Sequence, residues 1–534
     1  MNRWTFMTCG AGLLAASVAM FGQAAQQAEG TLVSDLAIAN RVLASDDLDV
    51  LGVFGHVSAR SRRNTDRFYI ARNVPPAFVT ARDVIETDLE GVAVAGSRSD
   101  QDEERFIDAA IYKARPDVMA IVHTHAPELI AFSVSSVPLP GDGGRTPIYD
   151  ARKLNNDRLS EITTPELGRT LAEALGRSSA ILLLGHGAVV VSNTIRGAVS
   201  AANGLTRSAK LQMQMMAMRG TIVQNPRGIA PGAGRGAPPP QASTGGAGGP
   251  GGDDVLDTVN NGVDRAWDHW RRVGARALQA TPAVEPVRRS ADPIEALKRD
   301  LVIASRILSG PEIGILDTAG HVTVRHPKNP NRYFILRAIA PGSATVESLI
   351  ENDLDSQAVA GPRNDQYLEV HIHGQIYKAR PDVMAVIHSH TPELVAFGQT
   401  SVRLRPVSIG GAGIGDGLPL WIVGKYDPTQ SLVATPALGR SLAEAMGPKP
   451  GALLTGHGIA FTDSSLYGLV KRVYDLRLNA IIQQQAILLG GDITYLEGQD
   501  DSAPPPPVRP DGSGGGSGAA RFWEYWSRQV TLDR

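Results

Sequence analysis

The chain has 534 residues, of which 43% are hydrophobic and 20% charged, with a formal net charge of −2. That length is too great for one ordinary core and points to two or three domains of soluble, globular composition. The balanced charge excludes a basic surplus for holding nucleic acid or acidic lipid, so the expected partner is a small molecule or a second copy of the chain.

The first element in chain order is an N-terminal segment of different character. Met1–Arg3 carries one positive charge, an apolar stretch rich in small residues runs from Trp4 to Phe21, and Gly22-Gln23-Ala24-Ala25 offers an A-x-A-like cleavage site. This layout predicts a secretory signal peptide over 1–28. An uncleaved anchor is the alternative, since the stretch approaches spanning length. The small residues at its end favour cleavage, which places the mature protein in the periplasm or outside the cell with no stable membrane insertion. The only cysteine, Cys9, lies in this segment. The mature chain is therefore expected to have neither disulfides nor thiolate ligands.

A helix is expected around Leu36, Ile38, Val42 and Leu43, followed by short strands near Gly55-His56-Val57-Ser58 and Phe68-Tyr69-Ile70. The next helix, 104–114, is stopped by Arg115-Pro116. An apolar strand over 118–123 runs into His123-Thr124-His125. A helix over 165–175 and a strand over 180–184 lead to Gly185-His186-Gly187, and a long helix over 195–219 is capped by Gly220. The methionines at 213, 215, 216 and 218 read as core filling. A Gly/Pro-rich excursion over 226–253 precedes Trp267 and Trp270, whose helical i, i+3 spacing predicts a core-docking anchor.

The same order then recurs. Residues 111–132 read IYKARPDVMAIVHTHAPELIAF and residues 376–397 read IYKARPDVMAVIHSHTPELVAF. Tyr112 and Tyr377 are 265 positions apart (377 − 112), and the same offset carries Gly55-His56-Val57-Ser58 onto Gly320-His321-Val322-Thr323. Gly-His-Gly recurs at an offset of 271 (457 − 186), so about six residues are inserted in the second copy. A second Gly/Pro stretch, 503–519, precedes Trp523 and Trp526. Two tandem repeats are expected, over 31–275 and 291–534. The junction lies near 276–291 and ends at Pro293, where a new helix begins. Apolar strands alternating with helices suggest a parallel sheet covered on both faces.

On a strand, residues i and i+2 point the same way, so His123 and His125 share a face, as do His388 and His390. They stand where a buried strand emerges, and the glycines around His186 and His457 leave the backbone free to turn beside the imidazole. A lone His-x-His is more often a pair of ordinary histidines. Here six of 12 histidines fall into two equivalent triplets, His123, His125, His186 and His388, His390, His457. Three neutral imidazoles suit Zn²⁺ and leave a position open for water or substrate, while Mn²⁺, Co²⁺ or Fe²⁺ fits the same donors. Glu104 and Glu369 lie eight residues before the paired tyrosines and are candidate bases for removing a proton alpha to a carbonyl while the metal stabilises the enolate oxygen. The alternative is a solvated glutamate on a helix face, and Glu103 is an adjacent competitor.

The segment E-x(7)-Y-x-x-RPDV-x(4)-H-x-H followed by GHG resembles the class II aldolase/adducin domain across almost all of both repeats. The resemblance implies two α/β/α sandwiches, each with a central, largely antiparallel sheet, which differs from the parallel sheet read from the alternation. It implies a divalent metal on each histidine triplet, with Glu104 and Glu369 as catalytic acid/base groups. It also implies active sites between neighbouring subunits of a tetramer, so a tandem chain would form a homodimer equivalent to a pseudo-tetramer. The loops Gly55-His56-Val57-Ser58 and Gly320-His321-Val322-Thr323 stand where sugar-phosphate members carry Gly-Asn-x-Ser. Substrate is therefore expected to meet Gly55, His56 and Ser58, and Gly320, His321 and Thr323, but the converging donors that a phosphate needs are incomplete. No tyrosine acid of the aldolase kind follows either His-x-His. The family's histidine one turn past the glutamate is His373 in the second repeat and Asp108 in the first, so the first site is expected to be altered.

These readings converge on a metal-dependent, aldehyde-lyase-like enzyme. It would act on a small, unphosphorylated hydroxy or oxo compound by C–C cleavage, decarboxylation or isomerisation. The alternatives are an iron-dependent decarboxylase/oxygenase of the same fold and a non-catalytic, adducin-like assembly module.

Overall fold

The computed structural model describes residues 29–45, 48–96, 100–141, 144–154, 161–217, 267, 290–362, 365–496 and 516–530. The expected signal segment 1–28, the stretch 226–253, most of 503–519, Gly220, Met218 and Trp270 lie outside the described residues.

Each repeat builds one eight-stranded sheet. The first contains β1 (His56–Arg60), β2 (Arg67–Ala71), β3 (Val84–Asp88), β4 (Ala93–Ala95), β5 (Ala120–Thr124), β8 (Ile148–Tyr149), β9 (Ala180–Leu183) and β10 (Gly187–Ser192), while β6 (Pro140–Gly141) and β7 (Gly144–Arg145) pair separately. The strand order is β4-β3-β2-β1-β5-β10-β9-β8. The second sheet contains β11 (His321–Arg325), β12 (Arg332–Leu336), β13 (Leu349–Asp353), β14 (Ala358–Ala360), β15 (Ala385–Ser389), β16 (Leu420–Trp421), β17 (Gly451–Leu454) and β18 (Gly458–Asp463), in the equivalent order.

All neighbours in both sheets pair antiparallel except β8–β9 and β16–β17. The parallel sheet suggested by the strand–helix alternation is thus corrected to the largely antiparallel one implied by the resemblance. The physical reason is connection length. Three residues join β9 to β10 and six join β1 to β2, too few for the crossover that a parallel pair needs.

Helices cover both faces. Residues 29–43 are helical (α1), followed by α2 (Arg105–Ala114), α3 (Pro127–Val134), α4 (Pro165–Leu175) and α5 (Ile195–Ala217). In the first repeat Ile107, Ile111, Leu167 and Leu171 of α2 and α4 pack on Phe68, Ile121, Ile181 and Val189. On the other face Leu36, Leu43 and Val199 of α1 and α5 pack with Trp267 on Val57, Val122 and Val190. Ile121 and Val122 are consecutive and serve opposite faces, as the period of two requires.

The second repeat repeats this plan with α6 (Pro293–Ser309), α7 (Val370–Ala379), α8 (Pro392–Gly398), α9 (Pro436–Met446), α10 (Leu466–Leu489) and α11 (Gly516–Ser527). Thr164 and Thr435 cap α4 and α9, each with proline at the first turn, which explains why α4 starts at the predicted residue 165 and its counterpart at 436. Trp523 and Trp526 of α11 are buried in the second core, and Trp523 stacks on Tyr467 at 3.9 Å. Met213 and Met216 pack at the edge of a core cluster.

The repeats share that cluster: Leu129, Phe132 and Val134 of α3 meet Ile482, Ala486 and Leu489 of α10. Backbone bonds from Ile409 to Gly185 (2.9 Å) and from Ser136 to Asp492 (2.8 Å) cross the same boundary. No described helix is long and apolar enough to cross a membrane.

Candidate metal centres

His123 is the fourth residue of β5, flanked in register by His56 of β1 and Val189 of β10. His125 follows one residue past the strand end, and the tight β9–β10 turn brings up His186. Gly187 cannot carry a side chain here, because a Cβ would lie 2.0 Å from the Thr124 carbonyl oxygen and 3.4 Å from the His125 ring. Gly458 meets the same restriction from Ser389 at 2.2 Å. The Gly-His-Gly signature therefore allows the two turns to close around the imidazoles.

The two triplets have nearly the same shape. Ring centroids are 4.6, 5.0 and 5.0 Å apart among His123, His125 and His186. They are 4.8, 4.9 and 5.1 Å apart among His388, His390 and His457. Glu104 stands at the N-terminus of α2 and reaches into the first triplet, with Oε2 3.1 Å from His123 Nε2 and Oε1 3.4 Å from His186 Nε2. Glu369 Oε2 lies 3.2 Å from both His388 Nε2 and His457 Nε2. Each glutamate also accepts a backbone bond through Oε1, from Ile162 N–H and Val433 N–H respectively, both at 2.9 Å. Neither is a solvated helix-face residue, since both are buried.

The donors fit a divalent cation. In each centre one ligand atom from the glutamate and from each of three histidines lie within 4.8 Å of one another. His388 Nε2 and His390 Nε2 are 3.1 Å apart, close to the roughly 3.3 Å expected between tetrahedral nitrogen ligands. His123 and His388 turn Nδ1 toward the carbonyls of Ala188 (3.2 Å) and Ile459 (3.0 Å), which leaves Nε2 facing inward. Burial lowers the pKa of His123, His125 and His388, favouring the neutral form that binds metal. Burial alone would raise the pKa of Glu104 and Glu369, but the facing imidazoles hold both well below the usual carboxylate range.

The residues expected to meet substrate are buried beside the centres. Gly55 is packed so that a Cβ would sit 2.7 Å from the His123 carbonyl oxygen, and Gly320 meets His388 in the same way at 3.2 Å. His56 Nε2 lies 2.9 Å from Asp108 Oδ2, and Ser58 donates to Asp108 Oδ1 at 2.6 Å. In the second repeat His321 Nδ1 is 2.7 Å from His373 Nε2, and Thr323 Oγ1 is 2.8 Å from His373 Nδ1. Gly55, His56 and Ser58 are not among the residues lining the cavity at the first centre. The pairs differ electrostatically. Burial lowers the pKa of His56, but Asp108 and Asp102 overcome it and raise it to about 9. Among the described residues no carboxylate contacts His373, and burial takes it down to about 3.

A cavity of about 340 Å³ opens on the first centre, and both repeats line it. The first contributes Glu104, Glu161, His125 and His186; the second contributes Lys471 and Tyr474 of α10 and Arg521 of α11. Arg521 is buried, with Nη1 2.9 Å from Asn73 Oδ1 and 3.2 Å from Asp102 Oδ2. Asp102 in turn accepts from the Glu104 backbone N–H at 3.0 Å. Sequence reading missed these second-repeat residues, because they reach the site across a boundary hundreds of positions away in the chain. The only signal was the implied sharing of sites between subunits.

The profile of the Class II Aldolase and Adducin N-terminal domain matches residues 34–213 and 300–483, more than half of the chain. The chain belongs to the class II aldolase and adducin family, with two copies in tandem. Among its relatives are a decarboxylase named tropJ from Talaromyces stipitatus, 28% identical over 40% of this chain and 88% of that protein, and 3,4-dihydroxyphthalate decarboxylase from Arthrobacter keyseri, 30% identical over 38% of this chain and 82% of that one. A solved L-fuculose 1-phosphate aldolase from Glaciozyma antarctica is 21% identical, covering 46% of this chain and 94% of its own, with a TM-score of 0.36. The decarboxylases are lyases by name, and each spans about one of this chain's class II aldolase repeats.

Proposed function

We propose that the chain is a divalent-metal-dependent lyase that removes a carboxyl group from a small, unphosphorylated hydroxy or oxo acid. The carrying observation is the convergence of His123, His125 and His186 on Glu104 at a cavity shared by both repeats. The named decarboxylases among the relatives favour decarboxylation over the other lyase reactions. A cation held by the three imidazoles would supply Lewis acidity, and zinc is the first candidate, with manganese, cobalt or iron able to use the same donors.

The chain's own groups supply the rest. Glu104 is fixed through Oε1 by the Ile162 N–H, which leaves Oε2 to hold or deliver a proton within the triplet. Tyr474 faces the same cavity, and burial raises its phenol pKa, so it keeps its proton and is the candidate donor to the carbon that loses CO₂. Lys471 and Arg521 stand in a wall rich in carboxylates and pair there with Asp475 and Asp102, so a substrate carboxylate would bind by sharing these cations.

The reading includes export through residues 1–28 and assembly as a homodimer. The test is metal analysis of purified protein with CO₂ release from a panel of hydroxy and oxo acids. About two ions per chain and metal-dependent CO₂ release are expected. Glu104→Gln combined with Glu369→Gln should lower turnover by about 10²- to 10⁴-fold with the metal retained. A chain that holds no ion would stand with the non-catalytic alternative, and CO₂ release only with ferrous ion and oxygen would favour the oxygenase.

A further inference from the structure

We propose that the two metal centres differ in affinity, and that Asp317 is the positioning residue that makes the second centre the tighter one. This rests on the reading that the histidine triplets hold a divalent cation. The two centres match in ring spacing and in the carbonyl partners of His123 and His388, so a difference must arise elsewhere.

It arises at the second histidine of each His-x-His. In the second repeat His390 Nδ1 lies 3.1 Å from both Asp317 Oδ1 and Asp317 Oδ2. That carboxylate is itself held in place, because Oδ1 accepts from the Gly320 N–H at 2.7 Å and the Ala319 N–H at 3.0 Å. An imidazole whose Nδ1–H is engaged by a carboxylate has a fixed tautomer, a fixed ring orientation and a more basic Nε2. His390 Nε2 is the atom that faces His388.

The equivalent position in the first repeat, 265 residues earlier (317 − 265), is Gly52, which has no side chain to offer. Among the described residues, His125 Nδ1 is buried without a hydrogen-bond partner. The loop serves a different purpose there. Phe54 meets the His125 ring edge-on at 6.4 Å and stacks on Phe522 of α11 at 6.5 Å. The first repeat thus uses this loop to receive the second repeat, and the second uses it to hold a ligand. Loss of such an outer partner typically costs about 10- to 100-fold in metal affinity.

The test is a Co²⁺ titration of the full chain against a chromophoric chelator. His123→Ala/His125→Ala isolates the second centre, and His388→Ala/His390→Ala isolates the first. The second centre should bind about 10- to 100-fold more tightly. Asp317→Ala in the first of these backgrounds should remove that advantage and shift the visible Co²⁺ spectrum, and Asp317→Asn should restore part of it. Because Asp317 also accepts the Gly320 and Ala319 N–H bonds, the melting temperature of each metal-free variant is measured alongside, and the affinity loss is expected in a chain that remains folded at the assay temperature. Equal affinities in the two backgrounds, or an unchanged affinity in Asp317→Ala, would overturn the proposal while leaving the metal reading intact. A wild-type chain that binds no Co²⁺ at either centre would overturn both.

Discussion

His56 and His321 occupy the same place in the two repeats, yet the residue one turn past the glutamate gives them opposite charge states. His56 faces Asp108 in full burial and stays protonated to about pH 9, against an ordinary value of 6.5. Its ion pair therefore stabilises the fold fully below about pH 6.5, and the contribution is lost as pH rises through about 9. Asp108→Ala leaves a buried cation with the longer 3.7 Å contact to Asp102 and the more distant field of Glu104. It should cost about 3–5 kcal/mol near pH 6 and markedly less near pH 10. Thermal melts at the two pH values check this, and an equal penalty at both would show that the charge on His56 is not the cause. The metal histidines were legible because duplication separated them from chance, and the glutamates because they keep a constant spacing to the paired tyrosines. Asp317, Tyr474 and Arg521 carry no such mark. Their significance depends on where a loop or a helix from another part of the fold comes to rest.

Among the elements, α11 is the one whose placement matters most for the first centre. It was legible as an anchor from its tryptophans, but not as a wall of the opposite repeat's site. Its two roles separate by residue. Trp523 is buried and stacked on Tyr467, so Trp523→Ala should destabilise the chain by about 3–5 kcal/mol, measured by denaturant unfolding. Arg521 lines the cavity, and among the described residues its Nε is buried without a partner. Arg521→Ala should raise KM for an anionic substrate about tenfold or more, the value of one charge-assisted bond, with kcat changed less. A fall in kcat with constant KM would instead place Arg521 in the chemical step. Helix limits such as Pro165–Leu175 could be read directly because cap, first-turn proline and terminal glycine agree. Strand direction could not. Alternation of apolar strands with helices looks the same whether short turns or long crossovers join the strands, and only the three-residue β9–β10 link and its equivalents decide it.

At the scale of the molecule, the first centre's cavity is lined by both repeats of one chain. If the repeats continue around a pseudo-fourfold ring, the second centre must receive the first repeat of another chain, and a homodimer is the smallest closed assembly that provides it. The two walls would then differ. At the offset of 271, Lys471 and Tyr474 correspond to Ser200 and Asn203 (471 − 271 and 474 − 271), which are neither cationic nor phenolic. This arrangement predicts a dissociation experiment. Glu369→Gln leaves only the first centre competent, and its specific activity should stay constant on dilution, because its cavity is intramolecular. Glu104→Gln leaves only the second centre, and any turnover it supports should fall as the dimer dissociates, with light scattering reporting the change from two chains to one across the same concentrations. Activity that falls equally in both variants would mean that the first centre also needs a second chain. A monomer at all concentrations would remove the ring altogether, and a second centre that works in such a monomer would have to be complete within one repeat.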